Sequence, residues 1–108
     1  MTTADVVVTG TDARVRTVAV TGEVDLSNVA GVEDRILDAT GNDLLGLVLD
    51  LTGVDYLDST GLKLLFTLAV RLEISQITLE LIVAPGSSVQ RVLEMTGVGE
   101  SVPMRTAD

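Results

Sequence analysis

The stretch Leu47–Leu68, LVLDLTGVDYLDSTGLKLLFTL, decides the reading of this chain. Its first five residues, Leu47 to Leu51, are apolar but for Asp50, a near-continuous run that suits a strand buried on both faces, as in a parallel sheet. An acidic, glycine-containing turn is expected next, carrying Asp50, Asp55 and Asp58. Ser59 and Thr60 then stand where helical spacing begins. A strand, a polar crossing and a helix in immediate succession are the unit from which α/β sheets are built.

The flanks repeat that unit. Upstream, Val6–Thr9 and Arg14–Thr21 are β-rich runs on either side of Gly10-Thr11-Asp12, and they predict a hairpin. Gly22-Glu23-Val24-Asp25 interrupts the pattern. Ser27 or Asn28 is then placed to cap a helix whose apolar face is Val29, Val32, Ile36 and Leu37, closed by Thr40-Gly41-Asn42. The central strand is expected over Leu44–Leu51. The second helix is expected from Thr60 to Leu72, mostly buried, with one polar stripe of Lys63, Thr67 and Arg71. Downstream, Ile77–Val83 predicts a strand and Pro85-Gly86 a turn. Ser87 or Ser88 caps a third helix with Val89, Val92 and Leu93, and Gly97 ends it. Val102–Met104 is expected as a short last strand. The order ββαβαβα(β) implies one α/β domain over residues 1–108, with a mixed, mostly parallel sheet of four to five strands and three to four helices.

Composition narrows the chemistry. With 108 residues and 46% hydrophobic content, the chain is long enough to bury a core. Only Tyr56 and Phe66 are aromatic, so that core must be aliphatic. Histidine and cysteine are both absent. Their absence removes the Ser-His-Asp arrangement, a thiol nucleophile and the commonest zinc ligands. The net charge of −9 argues against nucleic acid and against anionic membranes, and favours a basic partner surface or simple solubility. The N-terminus has no basic segment or cleavage site. The apolar region at Leu62–Leu72 contains Lys63 and Arg71 and is too short to cross a bilayer. A cytoplasmic protein with neither metal nor cofactor is expected.

Ser59 carries two readings. In the first, Asp58 or Ser59 simply caps the second helix. In the second, the free amides and positive dipole end of that helix accommodate a phosphorylated Ser59. The phosphate adds about −1.5 to −2 charges beside Asp55 and Asp58, which favours a change of partner over tighter packing. The aspartates themselves are more economically read as turn formers and caps than as an acid–base pair or a magnesium site. Asp50 at the end of an apolar strand suggests a receiver-type phosphoacceptor, but the acidic pair and the late lysine that chemistry needs are missing, since Lys63 is the only lysine. Asp58-Ser59-Thr60-Gly61 is one residue out of step with the aspartic-protease signature. Nucleotide binding at this loop lacks a phosphate-cradling glycine pattern. Asp25, in the loop after the second strand, is expected near Ser59 if both strands end at the same sheet edge.

Three segments taken together resemble a STAS domain of the bacterial anti-sigma factor antagonist type. They are Gly22-Glu23-Val24-Asp25-Leu26, the run from Asp50 through Asp58-Ser59-Thr60-Gly61-Leu62, and Val89 to Val98 with Val92-Leu93-Glu94-Met95-Thr96-Gly97 at its heart. The resemblance spans roughly Val6 to Met104, and its most specific part is Asp58 to Leu62. It implies a non-enzymatic partner switch. The unphosphorylated antagonist binds an anti-sigma factor, often itself a serine kinase, and so releases a sigma factor; phosphorylation weakens the complex and a serine phosphatase restores it. Carried over by position, Ser59 is the phosphoacceptor, and Asp25, Asp58, Thr60 and Gly61 fall to the partner-binding surface, with Thr60 the non-acceptor neighbour. A weak homodimer is left open. The alternative is a constitutive STAS accessory or scaffold subunit of a transporter or signalling complex, in which Ser59 is only a cap. Where the family places a glycine-containing turn before Ile77, this chain has Arg71-Leu72-Glu73-Ile74-Ser75-Gln76. Either the second helix runs longer or that turn presents Ile74 to solvent.

Overall fold

Residues 2–107 are described by a computed structural model. Among them the elements run β1 (Ala4–Asp12), β2 (Val15–Val24), α1 (Val29–Thr40), β3 (Gly46–Leu57), α2 (Ser59–Ile74), β4 (Thr78–Val83), α3 (Ser88–Thr96), α4 (Val98–Ser101) and β5 (Met104–Thr106). The five strands form one sheet in the order β1-β2-β3-β4-β5. β1 is antiparallel to β2, and every later pair is parallel. This is the α/β architecture expected, with a fourth, one-turn helix added and β5 two residues further on.

Strands added always on the same side, each through a crossover of the same hand, keep their helices on one face. The burial pattern agrees. Val18, Val20, Leu47, Leu49, Leu51, Leu79, Leu81 and Val83 point into the core, where they meet Val32 and Ile36 of α1, Leu64, Leu65, Leu68 and Leu72 of α2, and Val89 and Leu93 of α3. The alternate residues Ala19, Val48 and Ile82 are only half-buried. The central strand is therefore covered on one face, not on both. Its apolar run reflects one packed row interleaved with small and branched residues on an open face.

Three further boundaries differ from expectation. The first hairpin turns at Ala13 and Arg14, both at positive φ, and Gly10 instead sits at a register shift within β1. β3 continues six residues past Leu51, because Thr52-Gly53 forms a bulge rather than a turn. There Ala19 pairs with Asp50 but Thr21 pairs with Gly53. The Asp50 carboxylate stabilises the bulge by accepting from the Thr52 amide at 2.9 Å and its hydroxyl at 2.7 Å. A Cβ on Gly53 would stand 2.7 Å from the Thr21 methyl, so the glycine lets the two strands approach.

α2 is both longer and more exposed than expected. It runs to Ile74, and Phe66, Val70 and Ile74 form an outward apolar stripe. Its end is a Schellman motif: the Ile77 amide donates to Leu72 at 2.8 Å and the Gln76 amide to Glu73 at 3.0 Å. Gln76 takes the left-handed conformation, φ 60°, that a glycine would adopt more cheaply. Both alternatives posed by the missing glycine hold at once: the helix runs longer, and Ile74 is 78% exposed.

Candidate functional site

β2 and β3 are parallel and end together, Val24 opposite Leu57. The segments that follow them, Asp25–Asn28 and Asp58–Ser59, therefore emerge side by side at the carboxyl edge of the sheet, where α/β proteins place their sites. Two hydrogen bonds tie these segments. The Asp58 amide donates to the Val24 carbonyl at 3.2 Å, and the Leu26 amide donates to Asp58 Oδ2 at 3.2 Å.

Asp58, extended at φ −89° and ψ −173°, is the N-cap of α2. Its Oδ1 accepts from the Thr60 amide at 2.9 Å, the Gly61 amide at 3.2 Å and the Thr60 hydroxyl. The cap is thus Asp58, and Ser59 is the first helical residue. Ser59 is exposed, and its hydroxyl has no hydrogen-bond partner among the described residues. Thr60, half-buried, spends its hydroxyl on Asp58. Two adjacent hydroxyls are therefore unequal: one points free, the other is committed.

Gly61 is buried, and a Cβ there would stand 2.4 Å from Leu57 Cδ1, 2.9 Å from Leu57 Cγ and 3.3 Å from Val24 Cγ1. Its lack of a side chain lets the first turn of α2 sit directly on the ends of β2 and β3. Gly61, assigned by the resemblance to the partner-binding surface, is buried and supports the site from beneath.

The Asp25 segment is held from both sides. Asp25 Oδ1 accepts from the Ser27 amide at 2.9 Å, the Ser27 hydroxyl at 2.6 Å and the Thr2 hydroxyl at 3.0 Å. Asn28 stands at the N-cap position of α1 but makes no cap bond. Its Oδ1 accepts from the Asp25 amide at 3.0 Å and its Nδ2 donates to the Glu23 carbonyl at 2.8 Å, so it staples the loop. The Glu23 amide donates to the Thr3 carbonyl at 2.9 Å, which brings the N-terminal residues over the same loop. This close approach requires Gly22: at φ 96°, a Cβ on it would lie 2.3 Å from the Thr3 oxygen.

Both site carboxylates are held below the ordinary aspartate range. For Asp58 the main cause is the Thr60 hydroxyl, followed among the lowering contacts by the Gly61, Thr60 and Leu26 amides. For Asp25 it is the Ser27 hydroxyl, with further help from Thr2 and against a small opposing push from Asp58. The ion pairs among the described residues are Arg35–Asp5 and Arg105–Glu80, both elsewhere. The edge therefore carries two carboxylates that form no ion pair among the described residues, beside a free serine hydroxyl.

Asp25, Asp58, Ser59 and Thr60 are thus gathered at one edge. Asp50 belongs to the bulge instead, and Asp55 is exposed on β3. Among the described residues no three carboxylates come together as a metal site would require. Thr2 and the stapling role of Asn28 were not legible in the sequence. Both act through side-chain to backbone geometry that has no spacing signature.

The sequence profile of the STAS domain family matches residues 6–107. The anti-sigma-F factor antagonist RsfB of Mycobacterium tuberculosis, in two strains, is 32% identical over 87 residues, covering 81% of this chain and 70% of the relative. The crystal structure of an anti-sigma factor antagonist from Mycobacterium paratuberculosis superposes with a TM-score of 0.82 at 24% identity, covering 95% of this chain and 86% of that one. The anti-sigma factor antagonist SpoIIAA in its unphosphorylated form superposes with a TM-score of 0.73 at 18% identity, covering 98% and 89%. At those identities the two structures establish the fold. No helix among the described residues is long and apolar enough to cross a membrane. On its sequence, its fold and the order of its elements, the chain belongs to the STAS domain family, and its homologues are anti-sigma factor antagonists.

Proposed function

We propose that this chain is itself an anti-sigma factor antagonist, a cytoplasmic binding protein rather than an enzyme, switched off by phosphorylation of Ser59. The observation that carries the reading is the free, exposed Ser59 hydroxyl set between a capping carboxylate and a committed Thr60 hydroxyl. In its unphosphorylated form the edge formed by Asp25, Asp58 and Ser59 docks on an anti-sigma factor, and a sigma factor is released. The anti-sigma factor, acting as a serine kinase, transfers phosphate to Ser59, and a serine phosphatase reverses the transfer.

The cap chemistry shapes the mechanism. The Thr60 and Gly61 amides are already taken by Asp58. A phosphate on Ser59 is therefore not drawn inward to those helix amides but stays outward, a dianion beside an aspartate that is itself ionised. Repulsion and lost fit at the docked face weaken the complex without unfolding anything. A loss of 2–3 kcal/mol in binding corresponds to roughly 10²-fold in affinity, enough to change which complex dominates.

Intact mass and peptide mapping of the protein from its native cells under several growth conditions test the reading. One phosphate on Ser59 whose occupancy changes with condition supports the switch. An unmodified Ser59 in every condition rejects it in favour of a constitutive subunit.

A further inference from the structure

Leu26 is 76% exposed at the tip of the loop between β2 and α1. An exposed leucine on a mobile loop would mean little. This one is fixed. Its own amide is bound by Asp58 Oδ2, and the residue before it is held by Asn28, Ser27 and Thr2. Met95 and Ile74 are as exposed but lie on α3 and at the end of α2, with no tie to the Asp58 cap. The same carboxylate that caps the serine-bearing helix thus presents an apolar side chain to water beside Asp25 and Asp58, neither of which forms an ion pair among the described residues.

We infer that Leu26 is an apolar anchor of the docking edge, inserting into a hydrophobic socket on the anti-sigma factor whose rim carries basic side chains facing Asp25 and Asp58. The inference rests on the antagonist function proposed above and adds a specificity residue to it. A loop whose backbone is already ordered loses little further freedom on binding, so burial of the side chain it carries goes largely into affinity. Fully desolvated, well-packed side chains dominate interface energetics, while surrounding charges steer approach and fix register. The socket is a feature of the partner, and its rim is set by charge complementarity with a chain of net charge −9.

The test uses the full unphosphorylated chain and purified anti-sigma factors of the source organism, with affinities read by biolayer interferometry. Leu26→Ser weakens binding by about 30-fold, in the range of buried apolar anchors. Leu26→Met, of similar volume, stays within about threefold of the parent. Both variants keep the parent melting temperature, because the side chain touches no core. If Leu26→Ser binds within about threefold of the parent while Ser59→Asp abolishes binding, the anchor is refuted and the antagonist reading stands. If the unmodified chain binds none of the anti-sigma factors, both fall together.

Discussion

Asp58 and Leu26 lie 32 positions apart in the chain, yet the amide of one donates to the carboxylate of the other at 3.2 Å. Through this bond the N-cap of α2 also fixes the loop that opens α1. The candidate phosphoacceptor and the Asp25 loop therefore sit on one rigid edge, a property of the parallel pairing of β2 and β3 that no local motif supplies.

The unequal hydroxyls at the start of α2 predict site-selective modification. With a cognate serine kinase, phosphate is incorporated at Ser59 alone, and Ser59→Ala abolishes incorporation. Thr60→Val keeps it, because the Thr60 hydroxyl is engaged by Asp58 and contributes a cap contact, not an acceptor. Phosphopeptide mapping of the three proteins distinguishes these outcomes.

Asp58→Ala is expected to lower the melting temperature by several degrees, because it removes the cap of α2 and the tie to Leu26. Asp58→Asn retains part of this. Ser59→Asp, at an exposed position outside the cap, leaves the melting temperature within about a degree of the parent. Thermal denaturation followed by circular dichroism checks the set. The contrast separates a structural aspartate from a regulatory serine.

Acid should loosen the site edge before the core gives way. The folded-state pKa values of Asp25 and Asp58 are both lowered, so their stabilising contribution is complete above the ordinary aspartate range. It is lost as pH falls through the folded values, below about pH 4. Stability measured by chemical denaturation is expected to drop across that window. The drop is smaller in Asp25→Asn, which has no charge to lose. An unchanged slope in that variant would remove Asp25 from the account.

The end of α2 offers a stabilising change. Gln76→Gly removes the left-handed strain of a side-chain-bearing residue at φ 60° while keeping the two capping amides, and gains about 0.5–1 kcal/mol. Leu68→Ala, at a position with no solvent exposure, costs about 2–5 kcal/mol. Urea titration reads both.

The alternation of strand and helix patterns, the caps at Asp58 and Ser87 and the terminating Gly97 were legible because each rests on local spacing or local hydrogen bonds. Thr52-Gly53 was misleading. A glycine after a β-branched residue reads as a turn, but a neighbouring strand and the Asp50 carboxylate make it a bulge, and β3 continues to Leu57. The apolar face of α2 was likewise overcounted, since periodicity cannot tell a buried stripe from the exposed Phe66, Val70 and Ile74. At the site, Ser59 and Asp58 could be found from sequence because they share one motif. Thr2, the loop role of Asn28 and the fixing of Leu26 could not, because each depends on chain segments brought together by the sheet.

The most direct measurement compares affinity before and after modification. The unphosphorylated chain and the same chain stoichiometrically phosphorylated on Ser59 are titrated against one purified anti-sigma factor by isothermal calorimetry. Tight binding is expected of the first and roughly 10²-fold weaker binding of the second. Equal affinities for the two forms would contradict the switch, and would leave Ser59 as no more than the first residue of a well-capped helix.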